Sequence, residues 1–170
     1  FALVKFKKLA GGGSFKIVNQ SVTAALKNLG YTKAQGEDII RYLLGTMKLD
    51  GTPHVNRELL KAKGMTDAEI AKIEKALPGT FELSSAFTRL SLGEEMLSRI
   101  GVPRADFEKP TFNLLRWAGL TETQLAEANE AICGTMTVEG APHLKAEHLA
   151  VFDCANKCGM KGTRFIAPMG

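Results

Sequence analysis

Cysteine is scarce in this chain. Three residues of 170, Cys133, Cys154 and Cys158, are too few and of the wrong parity for a secreted disulfide framework, which points to a reducing compartment and, by default, the cytosol. Long apolar runs are also lacking. No stretch approaches the roughly 20 residues that a membrane helix needs. Phe1 to Lys8 is too short and too interrupted by lysine for a signal-peptide core. A soluble protein without a membrane partner is expected. A cationic excess is missing from the body of the chain. Lys5, Lys7, Lys8 and Lys16 stand in the first 20 residues, and Lys157, Lys161 and Arg164 in the last 17, two stretches that contain no Asp or Glu. With a total of +4, the stretch between them carries −3. Phosphate binding needs clustered cations on the binding face, so nucleic acid is disfavoured as a partner despite a pI of 9.0.

What is present is enough apolar material, 45 % against 24 % charged, to bury one ordinary core or two small ones, which excludes a disordered tail. The chain opens on Phe1 in a strand-like alternation and closes on the apolar Arg164-Phe-Ile-Ala-Pro-Met-Gly170. Free termini are usually polar and frayed, so an excised piece of a longer protein is expected.

One local pattern occurs three times in the middle: a short apolar helix ended by glycine, one linking residue, a Thr with Gln or Glu three residues on, then a second helix. The copies are Leu26-Lys-Asn-Leu-Gly30-Tyr-Thr32-Lys-Ala-Gln35, Leu60-Lys-Ala-Lys-Gly64-Met-Thr66-Asp-Ala-Glu69 and Leu115-Arg-Trp-Ala-Gly119-Leu-Thr121-Glu-Thr-Gln124. Glycine supplies the left-handed geometry that ends a helix, and Thr-x-x-Gln/Glu is the capping box that satisfies orphan amides at the start of the next. The pattern predicts helical hairpins, with repeats over about 21–60, 60–83 and 111–149. A degenerate further unit is expected between the last two, with a capping box at Ser91-Leu-Gly-Glu94, a stop at Gly101 and a start at Pro103. The first and third copies share a tail. Gly45 to Leu60 matches Gly134 to Leu149 at 8 of 16 positions, an offset of 89 residues, which marks an internal duplication. Met47-Lys-Leu and Met136-Thr-Val read as short strands before an acidic-Gly turn, and Pro-His then leads into another helix. Outside this body, Phe1 to Phe6 and Phe15 to Val18 read as two strands around a flexible Gly11-Gly-Gly turn, with no Gly-Lys-Ser/Thr to hold a phosphate.

Candidate chemistry is sparse. If Val151 to Lys157 is helical, Cys154 and Cys158 lie one turn apart, close enough for a redox pair or for two ligands of a structural zinc. Of the histidines that precede them, His143 has a counterpart in His54, so the repeated Pro-His reads as a local device that bonds a helix end or Glu58 and Glu147. His148 replaces Leu59 and is the better third ligand. Packing of small buried thiols is the plainer reading of the pair. Glu94-Glu95, Glu127 and Glu130 read as helix-surface charges. Trp117, Phe112 and Leu115 read as one apolar helix face, and no serine, histidine and acid triad can be assembled. On these grounds the middle is a helical packing domain. The alternative is a small helical binding module for a ubiquitin-like or nucleic-acid partner, although the second glycine of DNA-binding hairpins is missing from every copy.

Three stretches carry a more specific signal: Phe1-Ala-Leu-Val-Lys-Phe-Lys-Lys-Leu-Ala-Gly-Gly-Gly-Ser-Phe-Lys-Ile-Val-Asn-Gln20, Gly134-Thr-Met-Thr-Val-Glu-Gly-Ala-Pro-His143, and His148-Leu-Ala-Val-Phe-Asp-Cys-Ala-Asn-Lys-Cys-Gly-Met-Lys-Gly-Thr-Arg-Phe-Ile166. They closely resemble the vitamin B12-dependent (class II) ribonucleotide reductases of bacteria. The resemblance implies a mainly α insertion domain of duplicated hairpins, residues 21–153. It would sit between a strand-like segment (1–20) and a return segment (154–170) of a larger α/β barrel. It also implies a parent enzyme that uses adenosylcobalamin to make a thiyl radical, reduces ribonucleotides to deoxyribonucleotides and is reset by thioredoxin-like donors. The Asn-x-Cys-x-Glu radical loop and the C-terminal reducing cysteines of that family do not occur in this chain, so the resemblance transfers no catalytic residue. The segment alone is expected to be inactive.

Overall fold

The computed structural model describes residues 2–168. Phe1, with which the first strand reading begins, and the last two residues of the return segment lie outside the described residues. The expected mainly helical architecture is observed. A two-stranded antiparallel hairpin, β1 (Val4–Lys8) and β2 (Ser14–Val18), pairs Val4 with Val18 through to Lys8 with Ser14. Gly12 and Gly13, at φ 91° and 83°, turn it. The helices follow: α1 (Gln20–Asn28), α2 (Lys33–Leu44), α3 (Arg57–Ala62), α4 (Asp67–Ala76), α5 (Arg89–Leu92), α6 (Glu94–Arg99), α7 (Arg104–Phe107), α8 (Leu114–Trp117) and α9 (Glu122–Cys133). Short 3-10 turns lie at Leu77–Gly79, Leu83–Phe87 and Ala146–Phe152. No described helix is long and apolar enough to cross a membrane.

The punctuation read from the sequence operates in all three copies. Gly30, Gly64 and Gly119 have φ of 85°, 92° and 95°. The residue after each donates its amide five residues back, Tyr31 to Leu26 O, Met65 to Leu60 O and Leu120 to Leu115 O, which is the Schellman closure of a helix. Thr32, Thr66 and Thr121 then cap the next helix, and their own amides are taken by Gln35, Glu69 and Gln124.

Several local expectations are corrected. Met47 and Met136 have φ of 54° and 57°, so the residues around them are not strands; a left-handed residue breaks an extended run. Ser91 does not open a helix. Thr88 caps α5, and Ser91 instead donates its hydroxyl to Ser85 O, because Gly93 at φ 87° ends α5 before α6 begins. Val151 to Lys157 is not an α-helix, since the 3-10 turn ends at Phe152. Trp117 is 40 % exposed, whereas Leu115 is buried. The helix α8 is only four residues long and does not carry both side chains into the core.

The described chain forms two compact units. One takes in the chain up to Thr46 and again from Gly134 onward; the other is Met47–Cys133. Each has its own core. In the first unit Val22, Leu26, Ile39 and Leu43 gather with Met136, Val138 and Phe152. In the second, Leu60, Ile70, Leu83, Phe87, Leu97, Phe107, Leu114 and Ile132 gather. At about 25 cal/mol per Å² of apolar surface removed from water, such side chains supply most of the drive to fold each unit.

Candidate functional site

The two matching tails are bound in a reciprocal pattern. The Met47 amide donates to Ile132 O at 2.9 Å, and the Met136 amide donates to Leu43 O at 3.0 Å. His54 Nε2 lies 2.5 Å from Glu127 Oε2, and His143 Nε2 lies 3.0 Å from Asp38 Oδ2. A carboxylate only accepts, so both imidazoles present an N–H on that side. Ile132 stands 89 residues after Leu43, and Glu127 stands 89 after Asp38. The tail that follows α2 therefore lies on α9, in the Met47–Cys133 unit, and the tail that follows α9 lies on α2, in the other. The described non-glycine residues with positive φ are Met47, His54, Met136 and His143, the same two positions of each tail. The expected partners of the histidines, Glu58 and Glu147, are thus replaced by acids of the other copy's helix. The left-handed backbone at each histidine accompanies this long-range contact. Nothing local in the sequence announced it.

In the unit that contains α2, Glu139 ties down the outgoing chain. Its carboxylate accepts from the Thr163 amide at 2.6 Å, the Thr163 hydroxyl at 2.5 Å and the Arg164 amide at 3.2 Å. Arg164 also forms a two-pronged pair with Asp153, both contacts at 2.8 Å. The Thr163 hydroxyl is the chief cause that holds the Glu139 carboxyl below its ordinary value; desolvation opposes it, and the Arg164 and Thr163 amides add to it. A depressed folded value means that this stabilisation is complete above the ordinary carboxylate range and is lost as pH falls through the depressed value. Glu139→Ala is expected to raise amide exchange at Thr163 and Arg164 about tenfold at neutral pH, the equivalent of ~1.4 kcal/mol for lost charge-assisted bonds. The wild-type chain should show the same release only on acidification. Exchange measured against pH checks both. The only sequence signal for Glu139 was its place in the acidic-Gly turn; its counterpart Asp50 is used differently, 3.0 Å from Arg57.

The three candidate metal ligands are not brought together. His148 Nδ1 lies 2.6 Å from the Tyr31 hydroxyl, with the two rings edge-on at 5.5 Å, and the same hydroxyl accepts the Lys145 amide at 2.9 Å. The hydrogen bond between Tyr31 and His148 closes the 3-10 turn onto the linker between α1 and α2. Cys154 and Cys158 flank a bend at Ala155 and Asn156 rather than sharing a helix face, and the Cys158 thiol donates to Asn156 O. Cys154 is buried, its thiol donates to Phe152 O, and its carbonyl accepts the Ile166 amide at 2.8 Å. Burial first, and the Cys158 thiol second, push the Cys154 thiol up to about 11. Cys154 and Cys158 form no disulfide. Among the described residues no group of three or more His, Cys, Asp or Glu side chains is gathered as a metal site would need.

Fold and site together define a mainly helical segment of two small cores whose polar clusters fasten chain to chain. No family model matches it. Over 168 residues, 98 % of its length, the chain is 51 % identical to the vitamin B12-dependent ribonucleotide reductase of Bradyrhizobium diazoefficiens and 45 % identical to that of Agrobacterium fabrum. A shorter match of 59 residues, at 46 %, is to the protein of the same name from Rhodopirellula baltica. The chain spans 13 % of the length of each of the first two relatives. It is a segment of a vitamin B12-dependent ribonucleotide reductase, with the remainder of that polypeptide as its context. A match of this length leaves the small binding module for ubiquitin or nucleic acid unfavoured.

Proposed function

We propose that the polypeptide to which this segment belongs reduces ribonucleotides to deoxyribonucleotides in the cytosol with adenosylcobalamin and a thioredoxin-like reductant, and that the segment contributes architecture rather than reacting groups. The observation that carries this is the match of 98 % of the chain, at 51 % identity, to a relative of that name. In the parent, residues 1–20 and 154–170 are read as barrel segments, and 21–153 as an insertion built from a duplicated helical hairpin. The reciprocal contacts 89 residues apart support the duplication.

An open hollow of about 460 Å³ in the Met47–Cys133 unit is lined by Glu69, Lys72, Ser85, Ser91 and Met96 among others, with no imidazole or thiol to face a cobalt. The cobalamin contacts are assigned to the rest of the polypeptide. For Cys154 and Cys158 we infer packing rather than zinc ligation, since no third ligand is gathered beside them among the described residues and burial keeps the Cys154 thiol protonated at neutral pH. Alkylation should modify Cys158 well before Cys154, and Cys154 should react at an appreciable rate only as pH approaches about 11. Stoichiometric zinc in protein purified without chelator would overturn that assignment.

The main reading is tested by assaying the whole polypeptide and the 170-residue chain side by side with ribonucleotide, adenosylcobalamin and a dithiol. Deoxyribonucleotide should form only with the whole polypeptide. Turnover by the segment alone would refute the division of roles, and an inert whole polypeptide would refute the activity.

A further inference from the structure

We propose that the segment seats on the remainder of its own reductase polypeptide through the unit that holds both terminal stretches, and that Met47–Cys133 is a separable module outside that seam. The proposal rests on the reading above, which supplies the remainder as partner.

Exposed apolar side chains are concentrated in the terminal stretches. Leu9, Val151, Met160, Phe165 and Ile166 are 51 %, 56 %, 67 %, 44 % and 60 % exposed, and all lie in the first 9 or last 20 residues of the chain. The 87 residues of Met47–Cys133 expose Leu90 and Trp117 as comparable cases beside Phe81. Scattered exposed leucines are ordinary, whereas several large apolar groups in two short stretches mark a surface that something covers. The occupant is the rest of the same chain. This segment is 13 % of its relatives' length, so the partner is already tethered, at an effective concentration no separate protein matches.

Separability follows from where the module leaves and rejoins its host. A Cβ built on Gly134 would lie 2.5 Å from the backbone nitrogen of Gly45, so the two crossing points touch. The Thr135 amide then donates to Tyr42 O at 2.9 Å, and the Met136 amide donates to Leu43 O. Every residue of the module's core cluster comes from within 47–133, and every residue of the host's cluster comes from outside it. A module whose ends meet can be replaced by a few residues with little loop-closure cost.

Two measurements on the full reductase test this. In the first, Met47–Cys133 is replaced by a four-residue Gly/Ser linker; the variant should remain folded, with cobalamin-dependent turnover within about threefold of the intact enzyme. Unfolding or a loss beyond tenfold overturns separability. In the second, hydroxyl-radical labelling is read by mass spectrometry with the denatured protein as reference. Met160, Phe165 and Ile166 should label at least tenfold more slowly than their exposure in the segment implies, while Leu90, 96 % exposed, labels as an open side chain. Fast labelling of the terminal residues, or protection of Leu90, overturns the seam. Labelling needs no activity, so the seam is tested even in a polypeptide that proves not to be a reductase.

Discussion

Gly134→Ala is expected to unfold the chain or to destabilise it by more than about 4 kcal/mol, a size that point substitutions reach only through a specific steric or polar fault. Two costs combine. Gly134 has φ +79°, where an L side chain pays about 1–2 kcal/mol. Its new methyl would also stand 2.2 Å from Leu43 O and 2.4 Å from the carbonyl carbon of Leu44. Both are backbone atoms at the end of α2, fixed by the bonds that carry the tail, and neither can swing aside. Gly30→Ala is the control. Its φ of +85° is similar and nothing lies within 4 Å, so only the conformational cost of about 1 kcal/mol should appear. Urea unfolding of both variants against the parent chain measures the difference. Equal losses would mean that the crossing of the two tails is not close-packed.

Phe87→Ala should cost about 3–5 kcal/mol by opening a cavity in the Met47–Cys133 core, where Phe87 is fully buried. The chain has one tryptophan, Trp117, and it lies in that unit. Its fluorescence should therefore report the loss directly as a lowered denaturation midpoint. Leu43→Ala removes a fully buried side chain from the other core at a comparable cost of about 2–5 kcal/mol. It should leave the tryptophan-detected midpoint nearly unchanged while lowering the transition seen by circular dichroism. Coincident shifts in both signals for both variants would show a single cooperative unit.

Local punctuation was legible in the sequence because its causes are local. A glycine at the end of an apolar turn and a threonine three residues before Gln or Glu act through bonds spanning three to five residues, so Gly30, Gly64 and Gly119, with Thr32, Thr66 and Thr121, could be placed directly. The 89-residue offset was legible as identity between two stretches. What Met47 and Met136 do was not. An apolar-polar alternation reads as a strand, but here a left-handed residue at each methionine sends the tail to a helix far away in the chain. For the same reason His54 and His143 were matched with neighbouring acids rather than with Glu127 and Asp38.

The candidate ligands fared similarly. The spacing of Cys154 and Cys158 suits two thiols on one helix face, but the chain bends between them and each thiol donates to a nearby backbone carbonyl. His148 reads as the better third ligand because it replaces Leu59 and the repeat does not account for it. A hydrogen bond with Tyr31, 117 residues away, occupies it instead. Sequence separation limits what a chain can bring together only over a few residues.

By itself the sequence determined the helical class, the capped helix starts, the match between the two tails and the membership in the reductase family, since each is written in short-range chemistry or in residue identity. The tertiary structure alone decided which tail lies on which helix, where the chain divides into two cores, and which apolar side chains stay exposed. Those outcomes depend on burial and on bonds between residues about 90 apart, which no local pattern encodes.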